Sequence, residues 1–131
     1  MYGFNLLISQ YVDTESFENE NVTYIIKVTQ DIVDDRKIID PGILISIIDT
    51  YSSFSSVALC DNDLDKISIS VSLNLKINSF SEMYLDQFYR MKVILKKTLE
   101  KLLIFEINIT DKEGNLIKNA THLKKKIKAK F

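Results

Sequence analysis

Residues 43–59 read ILISIIDTYSSFSSVAL, and Asp40, Pro41 and Gly42 stand immediately before them. Asp is a favoured helix N-cap, and Pro fits the first helical position, where the N–H it lacks would have no intrahelical partner. The spacing predicts a helix starting at Pro41. Apolar side chains at Ile43, Leu44, Ile45, Ile47, Ile48, Tyr51, Phe54, Val57, Ala58 and Leu59 cover most of its circumference, so it is expected to be packed all round by protein. The run from 38 to 59 raises the question of a membrane span, but Asp40, Pro41, Asp49, Ser52, Ser53, Ser55 and Ser56 interrupt it, and a span is rejected. The anomaly is Asp49, an acid in mid-helix where an unpaired charge is costly. Asp49 is therefore the leading functional candidate.

Upstream, residues 6–12 and 22–29 are rich in strand formers and flank the polar TESFENEN, which predicts an antiparallel pair joined by a turn. Residues 31–40 carry Asp34, Asp35, Arg36 and Lys37 and read as a short exposed connection into the helix. Downstream, residues 66–78 alternate: Ile67, Ile69, Val71, Leu73, Leu75 and Ile77 on one face, Ser68, Ser70, Ser72, Asn74, Lys76 and Asn78 on the other. On that pattern Ser70 belongs to the solvent side. Strands are predicted over 87–99, 103–110 and 116–127, with Gly114 available for a positive φ in the loop that starts at Asp111. Two strands, one core helix and a run of strands define an α+β chain with an antiparallel sheet wrapped around one long buried helix. The lysine-dense end, 124–131, is either an extension of the last strand or a frayed tail.

The totals narrow the function. The 131 residues fit one domain, 1–131, and seventeen basic against eighteen acidic residues give a formal charge of −1, so the chain as a whole carries no nucleic-acid signature. The first residues, MYGFNLLISQY, do not read as a secretory signal, which gives a cytoplasmic, intracellular expectation. Three glycosylation-type sequons then carry no weight. Cys60 is the single cysteine, so no internal disulfide forms; without a His/Cys cluster no metal site is expected, and Cys60 reads as an apolar filler.

The stretches IIDPGILISIIDTYSSFSSVALC and ISISVSLNLKINSF resemble the central region of hotdog-fold acyl-CoA thioesterases of the thioesterase-superfamily and phenylacetate-degradation type. In that family a His-Gly-Gly turn opens the buried helix, an acid lies nine residues after the His, and a Ser-Val-x-x-Asn strand follows. Here the matching residues are Asp40-Pro41-Gly42, Asp49 and Ser70-Val71-Ser72-Leu73-Asn74, with a weaker match at 111–117 and around His122. The resemblance implies a hotdog fold, thioester hydrolysis of an acyl-CoA, no cofactor beyond the coenzyme A of the substrate, and a homodimer or dimer of dimers. It implies that Asp49 activates water or attacks the thioester near apolar walls, that Ser70 of a neighbouring subunit helps to position the water, and that Arg90, His122, Lys124 and Lys125 face the coenzyme A phosphates.

The departures fall on the chemistry. The first Gly of the family's turn gives a main-chain N–H to the oxyanion, and Pro41 has none. Gly42 is the next donor, with Asp40 expected to compete for it as N-cap. The family's upstream Asn or His falls on Asp34, where a like-charged neighbour would raise a carboxyl pKa. Two function classes follow: a thioester hydrolase with a rearranged oxyanion site, or a catalytically impaired hotdog protein serving as an acyl-CoA-binding or structural interaction module. Asp49 as a structural acid bonded to Ser53 or to backbone, and the lysines as solvated surface, are the plain alternatives.

Overall fold

The computed structural model describes residues 11–18, 20–60 and 68–128. The elements are β1 (Val12–Glu18), β2 (Asn21–Lys27), a 3₁₀ turn (Gln30–Ile32), α1 (Pro41–Cys60), β3 (Ser68–Ser79), β4 (Phe88–Leu99), β5 (Leu102–Thr110) and β6 (Leu116–Lys128). The six strands form one antiparallel sheet in the order β1-β2-β4-β5-β6-β3, with α1 packed on one face. This is the α+β hotdog arrangement.

Period-two burial builds the core. Val22, Tyr24 and Ile26 of β2, Tyr89, Met91 and Val93 of β4, and Leu103, Phe105, Ile107 and Ile109 of β5 are buried against Leu44, Ile47, Ile48 and Tyr51 of α1. The helix starts where capping predicts: the Asp40 Oδ1 accepts the Gly42 N–H at 2.9 Å and the Ile43 N–H at 3.2 Å, and the Asp40 carbonyl accepts the Leu44 N–H at 3.0 Å. Ser52 and Ser55 are buried because each hydroxyl donates to the carbonyl four residues earlier, at 2.6 and 2.8 Å. No helix among the described residues is long and apolar enough to cross a membrane.

Four expectations need correction. The first strand is Val12–Glu18, so most of the polar TESFENEN is edge strand rather than turn; its pairing with β2 needs inward apolar residues only at intervals, and residues 6–10 lie outside those described. The 31–40 connection is not simply exposed, since Ile32 and Ile39 are buried and the Ile39 N–H donates to the Met83 carbonyl at 2.8 Å. The helix is not packed all round: within the chain Ile45 is 47% and Phe54 51% exposed.

The fourth concerns β3. Ser72 pairs with Lys124, whereas Asn74 pairs with Leu123, so a β-bulge at Leu73 interrupts the alternation. A one-residue slip exchanges the faces of everything beyond it. Leu75 and Ile77 pack on the core, while Val71 and Leu73 are exposed and Ser72 turns towards the buried face of β6. The sequence pattern put Ser72 on the opposite face from Leu75. At the far end, strand β6 continues to Lys128, so the lysine-dense segment extends the sheet that far.

Candidate functional site

Asp49 sits in the middle of α1 with a side chain 51% exposed, rather than held against apolar walls. Two groups on β6 explain how the helix carries it. His122 and Lys124 are two residues apart on β6 and therefore share a face, which is the one that meets α1. The Lys124 Nζ lies 3.4 Å from the Asp49 Oδ1, and the His122 Nε2 lies 3.6 Å from the same oxygen. Lys124 also donates to the Ser53 Oγ at 2.9 Å. The Ser53 hydroxyl in turn donates to the Asp49 carbonyl at 3.0 Å, so the carboxylate of Asp49 is engaged by β6 and not by Ser53.

Ser72 completes the cluster. Its Oγ is 2.7 Å from the His122 Nε2, a contact the bulge makes possible. His122 is fully buried, and its Nδ1 has no partner among the described residues. Burial pushes the imidazole pKa down to about 4, the Lys124 ammonium adds to that, and the Asp49 carboxylate opposes it. His122 is therefore neutral at pH 7. Burial also lowers the Lys124 pKa against the pull of Asp49. A carboxylate beside Nε2 favours the tautomer with its proton there, so Nε2–H donates to the Ser72 Oγ and the Ser72 hydroxyl keeps its own hydrogen to give. This is not a Ser-His-Asp relay, because both oxygen partners approach the same ring nitrogen.

The other candidates fall elsewhere. Lys124 is 1% and His122 0% exposed, so neither is the surface phosphate contact that the resemblance implies; their inward facing on β6 removes them from solvent. Lys125, the outward neighbour, is exposed. Arg90 forms a two-pronged ion pair with Glu15, both contacts at 2.9 Å. Asp34 is held by Arg36 at 2.9 Å, which with two main-chain N–H donors lowers its carboxyl pKa, the reverse of the expected direction. The Gly42 N–H is spent on Asp40. Ser70 lies on β3 opposite Lys126 in the pairing. Ser72 was not singled out by sequence reasoning, and Ser53 was named only as a structural partner of Asp49; the i, i+2 spacing of His122 and Lys124 could have paired them on one face, but no residue type announces the bulge.

No protein-family model matches the sequence, and no curated protein matches it. Solved structures do. Mouse thioesterase superfamily member 2 is 19% identical, with 95% of this chain and 88% of that chain covered at a TM-score of 0.81. A Streptococcus mutans protein bound to acetyl-CoA is 15% identical over 92% of this chain and 91% of that chain, TM-score 0.78. A hypothetical thioesterase from Streptococcus pneumoniae, solved with coenzyme A, is 18% identical, with the same 92% and 91% coverage and a TM-score of 0.78. The chain has the fold of thioesterase-superfamily hotdog proteins.

Proposed function

We propose that the chain is an acyl-CoA thioesterase with Asp49 as its base. The observation that carries this is the half-exposed Asp49 carboxylate, in contact with a buried ammonium and a neutral imidazole, on a fold whose solved relatives include thioesterases and proteins holding coenzyme A. Water adds to the thioester carbonyl carbon and gives its proton to Asp49; the tetrahedral adduct then expels the coenzyme A thiolate, which takes that proton and leaves the free acid. Lys124, with its Nζ 3.4 Å from the Asp49 Oδ1, holds that carboxylate in place on the helix. No cofactor is required beyond the coenzyme A of the substrate, and such a substrate fits a cytoplasmic protein. Exposed Ile45, Phe54, Val71 and Leu73 support self-association as a dimer or dimer of dimers.

One observation favours the second reading, an acyl-CoA-binding or interaction module without turnover. Pro41 has no N–H, and the Gly42 and Ile43 N–H groups bond Asp40, so the turn that receives an oxyanion in the family has no free donor here. Release of free thiol from acyl-CoAs of graded chain length, with Asp49→Asn as control, separates the two. Turnover abolished by that substitution supports the hydrolase; absence of turnover across the series in folded protein overturns it.

A further inference from the structure

An acyl-transfer site needs donors aimed at the carbonyl oxygen as it becomes negative. The first turn of α1 has none to offer: Pro41 lacks an N–H, Gly42 and Ile43 donate to the Asp40 side chain, and Leu44 donates to the Asp40 carbonyl. The Asp40 carboxylate would moreover set negative charge against the oxyanion. At the middle of the helix the balance is opposite. Lys124 carries three N–H donors and has two acceptors, Asp49 and Ser53, among the described residues. Ser72, exposed on β3, is its direct cross-strand partner. In the tautomer that the Asp49 carboxylate favours, the Ser72 Oγ accepts a hydrogen bond from the His122 Nε2–H, and its own hydroxyl hydrogen is left to point away from the ring. An exposed hydroxyl against His122 and a buried ammonium against Asp49 thus belong to one side-chain cluster, and all of it comes from one chain.

We propose, on the thioester-hydrolase reading, that the acyl carbonyl is received at the β3 bulge by the exposed Ser72 hydroxyl, with the buried Lys124 ammonium as a charge behind it, instead of by the helix N-terminus. His122 is then a positioning residue: its proton fixes the Ser72 rotor, and its neutrality keeps Nδ1, which has no partner among the described residues, from having to hold a second proton inside the core. Asp49 stands 3.4 Å from the Lys124 Nζ, so the base and the electrophile share one niche.

The test compares two inert ligands of equal chain length: a carba analogue of acyl-CoA, in which CH₂ replaces the thioester sulfur and the carbonyl is kept, and an S-alkyl-CoA without a carbonyl. The wild-type protein is expected to bind the carbonyl analogue about tenfold more tightly. The infrared carbonyl stretch of that bound analogue should fall to lower wavenumber. Both effects should disappear in Ser72→Ala and Lys124→Met, and where thioesters are turned over kcat should drop by ~10²-fold with little change in KM. Turnover without a preference for the carbonyl, or with one that survives both substitutions, overturns the carbonyl site and leaves the hydrolase reading intact. A preference lost in both variants, in a protein that hydrolyses nothing, sustains the site and removes the hydrolase. Failure of both ligands to bind overturns the two together. If Lys124→Met does not fold, Ser72→Ala decides alone, since Ser72 is exposed.

Discussion

Ser72 and Lys124 face each other across the β3–β6 pairing at the last regular step before the bulge, and that one register places a hydroxyl against His122 and a buried ammonium beside Asp49. Shifting the pairing by one residue would send Ser72 to the other side of the sheet.

Deleting Leu73 tests this directly. The residue is the extra one in β3, so its removal is expected to preserve both registers, Ser72 with Lys124 and Leu75 with His122, and to change stability by about 1 kcal/mol or less. Cross-strand Hα contacts between 72 and 124 in the NMR spectrum would report the retained register; their loss with the strand still protected would contradict it.

His122 gives the protein a pH dependence with a definite sign. The folded ring takes its proton near pH 4 and an unfolded His near 6.5, so in that window the unfolded chain binds more protons and stability falls as the pH falls. The complete loss is on the order of 3 kcal/mol. Denaturant melts at pH 7, 5.5 and 4.5 should therefore show a slope that His122→Gln flattens, and an equal slope in that variant would rule out His122 as its source.

Asp40 caps α1 through two N–H groups. Asp40→Ala should lower stability by about 1 kcal/mol, and Asp40→Asn by only a few tenths. Thermal denaturation of the two variants measures the difference; equal melting temperatures for the Ala variant and the wild type would mean that the cap contributes nothing.

If coenzyme A phosphates meet β6, Lys125 is the side chain free in solvent to hold them. Lys125→Ala should then raise KM several-fold at low ionic strength, with the effect fading as salt screens the charge. Arg90→Ala should do less, because its guanidinium is already committed to Glu15. A KM for Lys125→Ala that matches the wild type at every salt concentration would remove the phosphates from this strand.

The helix was legible in the sequence because capping is local: Asp40, Pro41 and the apolar run lie within one turn of each other, and nothing distant alters their meaning. The strands expected over 87–99, 103–110 and 116–127, and found at Phe88–Leu99, Leu102–Thr110 and Leu116–Lys128, were legible for a similar reason, since period two survives in β4 and β5 wherever one face meets the core. Asp49 was legible as a misfit. Its surroundings were not, because the 3.4 Å contact with Lys124 spans 75 positions of chain and depends on strand order. Ser72 was hidden by an alternation that looks unbroken from 66 to 78; a bulge is a mismatch between two strands, and one strand read alone cannot contain it. The Lys124 assignment failed through composition: a lysine among lysines reads as solvent-facing, and only pairing with Leu103 on β5 turns it inward.

Among the described residues strand β3 is the outermost strand on its side and pairs with β6 alone, whereas β6 is clamped between β3 and β5. Edge strands open in sub-global steps that cost less than unfolding the whole domain. When β3 peels away, Asp49, His122 and Lys124 remain assembled on α1 and β6, and Ser72 alone departs. Amide exchange along β3 would therefore track the fraction of molecules holding a complete donor set, and any occupant that grips Ser72 would slow that exchange far from the rest of the core.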